Sequence, residues 1–185
     1  MFVVSAYAPT DGSSEQEKDD FYRELSRLIR LAKRSDIIIL AGDMNAQIGQ
    51  LHSSETHLGG HFSVDAQRTD NGDRLLQLCN DHQLFLASTN FQHKRSHRVT
   101  WKPPCTSQSW TQLDHIAISF RWRASIQDCR SFWCTPLDSD HAILRVEKNG
   151  SMVYSLERRL ERWAEHFEEK FNQPAANAPT LGTRS

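Results

Sequence analysis

The period of the hydrophobic positions changes along this chain, and those changes divide it into elements. Residues 2–8 alternate weakly and are rich in valine and aromatics, which predicts a strand ending at Pro9. Ser14-Glu15-Gln16-Glu17 fits a capping box, with Ser14 as N-cap and Glu17 at the third helical position. The helix it opens carries Phe21, Leu25, Leu28, Ile29 and Ala32 on one face and closes at Lys33 and Arg34, where positive charge suits a helix C-terminus. A β-branched run follows at 37–41, so strand, helix and strand form a βαβ unit with its two strands parallel. Residues 46–68 read as a surface loop rich in His, Ser and Gly, and a second helix is expected at about 72–82, with Leu75, Leu76, Leu78 and Cys79 apolar. Short strands follow at 84–87 and about 98–102, 113–119, 124–131 and 141–147, spaced as antiparallel hairpins. The sum is an α/β layered fold with mixed sheets. Leu156, Leu160, Trp163, Phe167 and Phe171 then recur at helical spacing among charged residues, predicting an amphipathic helix that Pro174 ends. The expected organisation is a domain over 1–149, a connector helix within 150–173 and a disordered tail over 174–185.

Composition narrows the function. The 185 residues are 38% hydrophobic and 24% charged, enough for one domain with a real core. The formal net charge is -1, so nucleic acid would have to be held by a local basic patch and metal ions rather than by bulk charge. No apolar run approaches the roughly 20 residues of a membrane span, and residues 1–7 lack the pattern of a signal peptide. Cys79, Cys105, Cys129 and Cys134 form no CxxC pair, which argues for incidental thiols in a reducing, intracellular compartment, nuclear or cytoplasmic.

The candidate chemistry sits in three polar clusters at strand edges. Gly42-Asp43-Met44-Asn45 ends the run 37–41, where an open α/β sheet gathers its ligands. Asp114 falls within an apolar strand and needs a partner, because an unpaired buried acid is costly. Asp140-His141 precedes the last apolar run. Each cluster alone also reads as turn chemistry or a structural histidine. Together they supply the groups that phosphodiester hydrolysis needs: an acid to activate water, donors to a developing oxyanion, and carboxylates for a divalent cation, for which magnesium suits oxygen ligands.

These clusters resemble the endonuclease/exonuclease/phosphatase superfamily, with its deoxyribonuclease I-like fold. The closer resemblance is to the apurinic-type endonuclease domain of non-LTR retrotransposons. It runs from Ser5-Ala6-Tyr7-Ala8-Pro9-Thr10 through Gly42-Asp43-Met44-Asn45-Ala46, Asn71-Gly72, Thr100-Trp101 and Leu113-Asp114-His115-Ile116 to Ser139-Asp140-His141. The resemblance implies a partial four-layer α/β sandwich and a magnesium-dependent DNA endonuclease, with a reverse transcriptase downstream in the parent element. By that likeness Asp43 orients or deprotonates water and Asn45 holds the water or the phosphate. His141 donates to a phosphate oxygen, Asp114 orients His141, and Tyr7 stands beside the phosphate. Asn71, Thr100 and Ser139 line the substrate cleft, and Asp140 helps hold magnesium. The basic stretch His93-Lys94-Arg95-Ser96-His97-Arg98, and Arg121 and Arg123 around Trp122, are candidate phosphate contacts or ordinary solvated surface.

Members of this superfamily open with strands that carry an Asn and then a metal-binding Glu, whereas Met1 here already lies in the strand that is mid-domain in the family. The expectation is therefore an N-terminally truncated domain, weakly active or inactive, because Asp140 alone is a poor magnesium site. The alternatives are a non-enzymatic relic or a phosphatase of the same superfamily. Arg130 to Pro136 also replaces a shorter turn expected before Ser139.

Overall fold

The computed structural model describes residues 1–105, 107–133 and 139–148, together with the backbone of Ser151–Val153. The helix and tail expected beyond residue 153 lie outside the described residues, as does Cys134. Contacts divide the chain into Met1–Tyr154 and Ser155–Ser185.

The βαβ opening is as the hydrophobic pattern predicts. Strand β1 (Phe2–Tyr7) leads to helix α1 (Glu15–Ile29) and back to strand β2 (Ile38–Asp43), and β1 and β2 pair in parallel. Both halves of the capping box form at Ser14 and Glu17. The helix stops earlier than Lys33, because Leu31 and Ala32 donate to carbonyls three residues back and Asp36 Oδ2 accepts from Lys33 N, tightening the chain into turns. Helix α2 (Asp70–Asp81) starts from Thr69, whose hydroxyl accepts from Gly72 N. Strands β3 (Leu84–Leu86) and β4 (Asp114–Ser119) complete a mixed sheet ordered β1-β2-β4-β3, in which β4 runs antiparallel to both neighbours. Strands β5 (Ile126–Phe132), β6 (Ile143–Lys148) and β7 (Ser151–Val153) form a second, antiparallel sheet.

The pleat assigns each face of the first sheet. Val4 and Leu40 pack with Tyr22, Leu25 and Ile29 of α1 and Leu75 and Leu78 of α2. The alternate positions Ile39, Ala41, Ile116 and Ile118 pack on Cys129, Leu144 and Val146 of the second sheet. The described residues thus form three layers: helices, mixed sheet, antiparallel sheet. Charged groups also tie the two helices together. The buried Lys18 ammonium binds Glu15 at 3.1 Å and Asp70 at 3.0 Å, and Arg74 reaches Asp70, Glu15 and Asp19. A lysine buried this far needs such partners.

Two expectations change. Residues 98–102 do not form a strand; Trp101 makes only single bridges, to Thr111 and to His141. Within the loop 46–68, Ser53–Glu55 is a 3-10 turn, clamped where Arg68 forks onto Glu55 at 2.7 Å and onto the carbonyls of Ile48 and Gln50.

Candidate active site

The register of the first sheet builds one side of the site. Tyr7 on β1, Asp43 on β2 and Asp114 on β4 are direct cross-strand neighbours in one row. Because β1 and β2 are parallel and β4 is antiparallel, the row combines two strand C-termini with one strand N-terminus. The side chains point toward the layer of the second sheet, the face of Ile39 and Ile116, because residues two apart share a face. The chain leading into β6 then brings His141 to that row. Its Nδ1–H donates to Asp114 Oδ2 at 2.9 Å, and its Nε2 lies 3.9 Å from Asp43 Oδ2. The imidazole stands between two carboxylates.

Gly42 lets this row close. Its φ is +152°, and a Cβ there would lie 1.8 Å from Ala6 O. Only glycine permits β1 to run that close to β2 beside Asp43. Past the strand, Asn45 sits at φ 45°, in the left-handed region that asparagine tolerates. Its backbone N–H donates to Asp43 Oδ1 at 2.9 Å, and its amide Nδ2 donates to Ala8 O at 2.8 Å.

The electrostatics follow from this geometry. Two carboxylates directly opposite each other on neighbouring strands are destabilising when both are ionised. Burial and then Asp114 push the Asp43 carboxyl up to about 6, against the lowering effect of Asn45 N–H and His141. The hydrogen bond that His141 donates to Asp114 raises its pKa above the usual value despite burial. The site thus pairs a base in Asp43, above about pH 6, with an imidazole whose protonated form, favoured by its hydrogen bond to Asp114, offers Nε2–H as a donor.

The remaining expected residues divide by exposure. Tyr7 is 71% exposed at the strand end, open to a ligand. Ser139 and Asp140 are also exposed; Ser139 Oγ accepts from His141 N at 3.1 Å, so it shapes the turn that delivers the imidazole. Thr100 and Asn71 do not line an open cleft, because both are fully buried. Thr100 Oγ1 accepts from the backbone N–H of Leu113 and Asp114, each at 3.0 Å, and so fixes the start of β4. Asn71 Nδ2 donates to Pro9 O and Asn45 O, joining the loops after β1 and β2. Both fix the backbone segments on which the candidate site rests.

Sequence spacing overlooked His115, which is buried between Ser88 Oγ at 3.1 Å and Ala46 O at 2.9 Å. Since Ala46 O only accepts, Nε2 carries the proton and Nδ1 accepts from Ser88. Burial lowers its pKa to about 4, keeping it neutral, and it braces the Asn45–Ala46 loop from the helix side of the sheet. Its alternation with Asp114 was the available signal. The basic stretch is largely engaged within the protein: His93 with Asp128, Arg95 with Trp110 O, Arg98 with Phe62 O and Ser63 O. Arg121 likewise donates to Asp36 O and Arg123 to Phe120 O.

A magnesium ion is held through one or two carboxylates, waters and phosphate oxygens. Among the described residues no three His, Cys, Asp or Glu side chains converge to hold a metal. Asp140 Oδ2 accepts from Trp101 Nε1 at 3.1 Å, and Asp43 and Asp114 face His141. These donors do not make a magnesium site by themselves. No described helix is long and apolar enough to cross a membrane.

Comparison with known proteins adds an independent line. Residues 1–145 match the family described as "Endonuclease-reverse transcriptase". The chain is 30% identical over 144 residues to craniofacial development protein 2 of Bos taurus, covering 78% of this chain but only 24% of that protein. It thus spans about a quarter of the length of the curated relatives it matches. Its fold resembles the 3'-5' exonuclease NExo of Neisseria meningitidis, with a TM-score of 0.59 at 17% identity over 79% of this chain and 60% of that one. It also resembles the endonuclease domain of TRAS1, a telomere-specific non-LTR retrotransposon, with a TM-score of 0.52 at 15% identity over 78% of this chain and 56% of that one. These likenesses establish the deoxyribonuclease I-like α/β fold.

Proposed function

We propose, from the premise that this chain belongs to the endonuclease–reverse transcriptase family, that its row of carboxylates and His141 is the site of phosphodiester hydrolysis in DNA. The observation that carries the proposal is the imidazole held between Asp114 at 2.9 Å and Asp43 at 3.9 Å. That arrangement suits attack of water on a phosphodiester. Asp43, ionised above about pH 6, takes the proton of a water placed at its open oxygen. The water oxygen bonds to phosphorus as the ester bond breaks, its electron pair leaving on the sugar oxygen, which takes a proton from solvent. His141 Nε2–H donates to a non-bridging oxygen as negative charge grows there, and Asp114 keeps Nδ1 protonated and the ring in place. Tyr7, exposed beside Asp43, supplies a second donor to the phosphate.

Magnesium, if bound, would supply charge neutralisation at the phosphate, and Asp140 would help hold it; a full set of ligands is not found among the described residues. The match to the endonuclease–reverse transcriptase family, together with the fold shared with the TRAS1 domain, supports an origin in a non-LTR retroelement. The two buried free thiols, Cys79 and Cys129, suit a nuclear or cytoplasmic setting.

The second reading, a relic that keeps the scaffold without turnover, is favoured by the shortage of metal donors among the described residues. Relaxation of supercoiled plasmid in magnesium decides between the two. Weak nicking is expected from the parent chain, reduced at least about 10²-fold in His141→Ala, the scale of losing an oxyanion donor. Equal nicking by both proteins overturns the proposed hydrolysis. No nicking by either decides for the relic.

A further inference from the structure

Hydrolysis does not use a second cluster that abuts His141. Trp101 is bridged on one side to Thr111 and on the other to His141. Its neighbour Lys102 donates its N–H to Asp140 O at 2.8 Å. The segment from Trp101 to Thr111 therefore leaves the rim of the site and returns to it, carrying Lys102 and Trp110. The Trp110 ring packs on Trp133 with centroids 4.7 Å apart, and Arg95 Nη2 donates to Trp110 O at 2.8 Å. The indole is thus held in place, yet it stays 39% exposed. The exposed Lys102 carries its Nζ 5.6 Å from the ring centroid.

A fixed, half-open indole with an exposed cation over it is the arrangement that receives a nucleobase and its phosphate. Bases stack on aromatic faces whatever their identity, and a lysine alongside neutralises the backbone. An exposed cation–π contact is weaker than base stacking, so an arriving base displaces the ammonium and frees it for phosphate. We propose that Trp110 stacks an unpaired base of the DNA strand cut at His141, with Lys102 on a flanking phosphate. This deepens the hydrolase reading and rests on it: the substrate is single-stranded or locally unpaired DNA rather than a small phosphoester or an undisturbed duplex.

The molecule supplies its own control. Trp122 is 38% exposed and also lies near cations, Arg121 at 5.8 Å and Lys148 at 5.9 Å. It follows the C-terminal end of β4, whereas Asp114 stands at the N-terminal end, about 17 Å away at the rise of a strand. The test is fluorescence anisotropy of labelled short oligothymidylate in EDTA, where binding is read without turnover. Trp110→Ala is expected to weaken binding about tenfold and Trp110→Phe much less. Trp122→Ala should leave binding unchanged, and Lys102→Ala should lower the slope of log affinity against log salt by about one phosphate contact. A fully paired duplex and inorganic polyphosphate, which offer no free base face, should be insensitive to Trp110→Ala. Parental affinity in Trp110→Ala overturns the proposal. So does equal loss in Trp110→Ala and Trp122→Ala, or equal loss for oligothymidylate and polyphosphate. Base-dependent binding through Trp110 without any cleavage overturns the hydrolase reading and leaves the platform standing.

Discussion

Asp43 and Asp114 face each other across β2 and β4, and a single imidazole serves both. The charges of Asp43 and His141 therefore depend on each other and on Asp114. Asp43 is active ionised, so its contribution rises with pH through about 6. His141 donates when protonated, so its contribution falls once pH passes its raised pKa. Hydrolysis should follow a bell. Asp114→Asn removes the hydrogen-bonded partner that raises His141 and also the neighbour that repels Asp43. Both limbs should then move to lower pH. An NMR titration of the His141 ring reads the basic limb without turnover, and an unchanged midpoint in Asp114→Asn would contradict the coupling. At this scale the sequence disclosed the acids and the histidine through their motifs. It did not disclose that Thr100 and Asn71 act from below the surface. A buried hydroxyl that accepts two backbone N–H groups has no signature in spacing, because its partners lie more than ten residues away.

At the scale of elements, the first two strands meet at a point where a side chain has no room. A Cβ on Gly42 would come 1.8 Å from Ala6 O, and no rotamer relieves contact with a backbone oxygen. Gly42→Ala should cost on the order of 3 kcal/mol or more, as backbone strain in a core strand does. It should lower the midpoint of chemical denaturation and disturb the Tyr7–Asp43 row. Gly12→Ala, with nothing within 4 Å of the added carbon, should be neutral and serves as the reference. Elements set by local chemistry were legible: the capping box of α1, the β-branched run of β2, the apolar face of α2. Residues 98–102 were not, because their alternation is that of a strand while their hydrogen bonds are divided between Thr111 on one side and Asp140 and Ala142 on the other. Three-residue β7 escaped for a related reason: its pairing with β6 depends on the partner strand rather than on its own pattern.

At the scale of the molecule, the layers were legible from the change of hydrophobic period, whereas which strand covers which was not. Packing settles that, through Ile39, Ala41, Ile116 and Ile118 on Cys129, Leu144 and Val146. The site inherits this division. Asp43 and Asp114 ride on the mixed sheet, and His141 arrives with the strand that opens the other one. The 2.9 Å bond between His141 and Asp114 therefore bridges two layers whose facing strands otherwise meet through apolar side chains. Because no hydrogen-bonded ladder among the described residues crosses this seam, it is expected to open locally before either sheet's own ladder melts. The downfield imidazole proton on Nδ1 should accordingly fade several degrees below the far-ultraviolet transition, and coincident loss of both would show that the layers part only when the chain does. The geometry of the centre is thus a thermometer for the seam between the sheets.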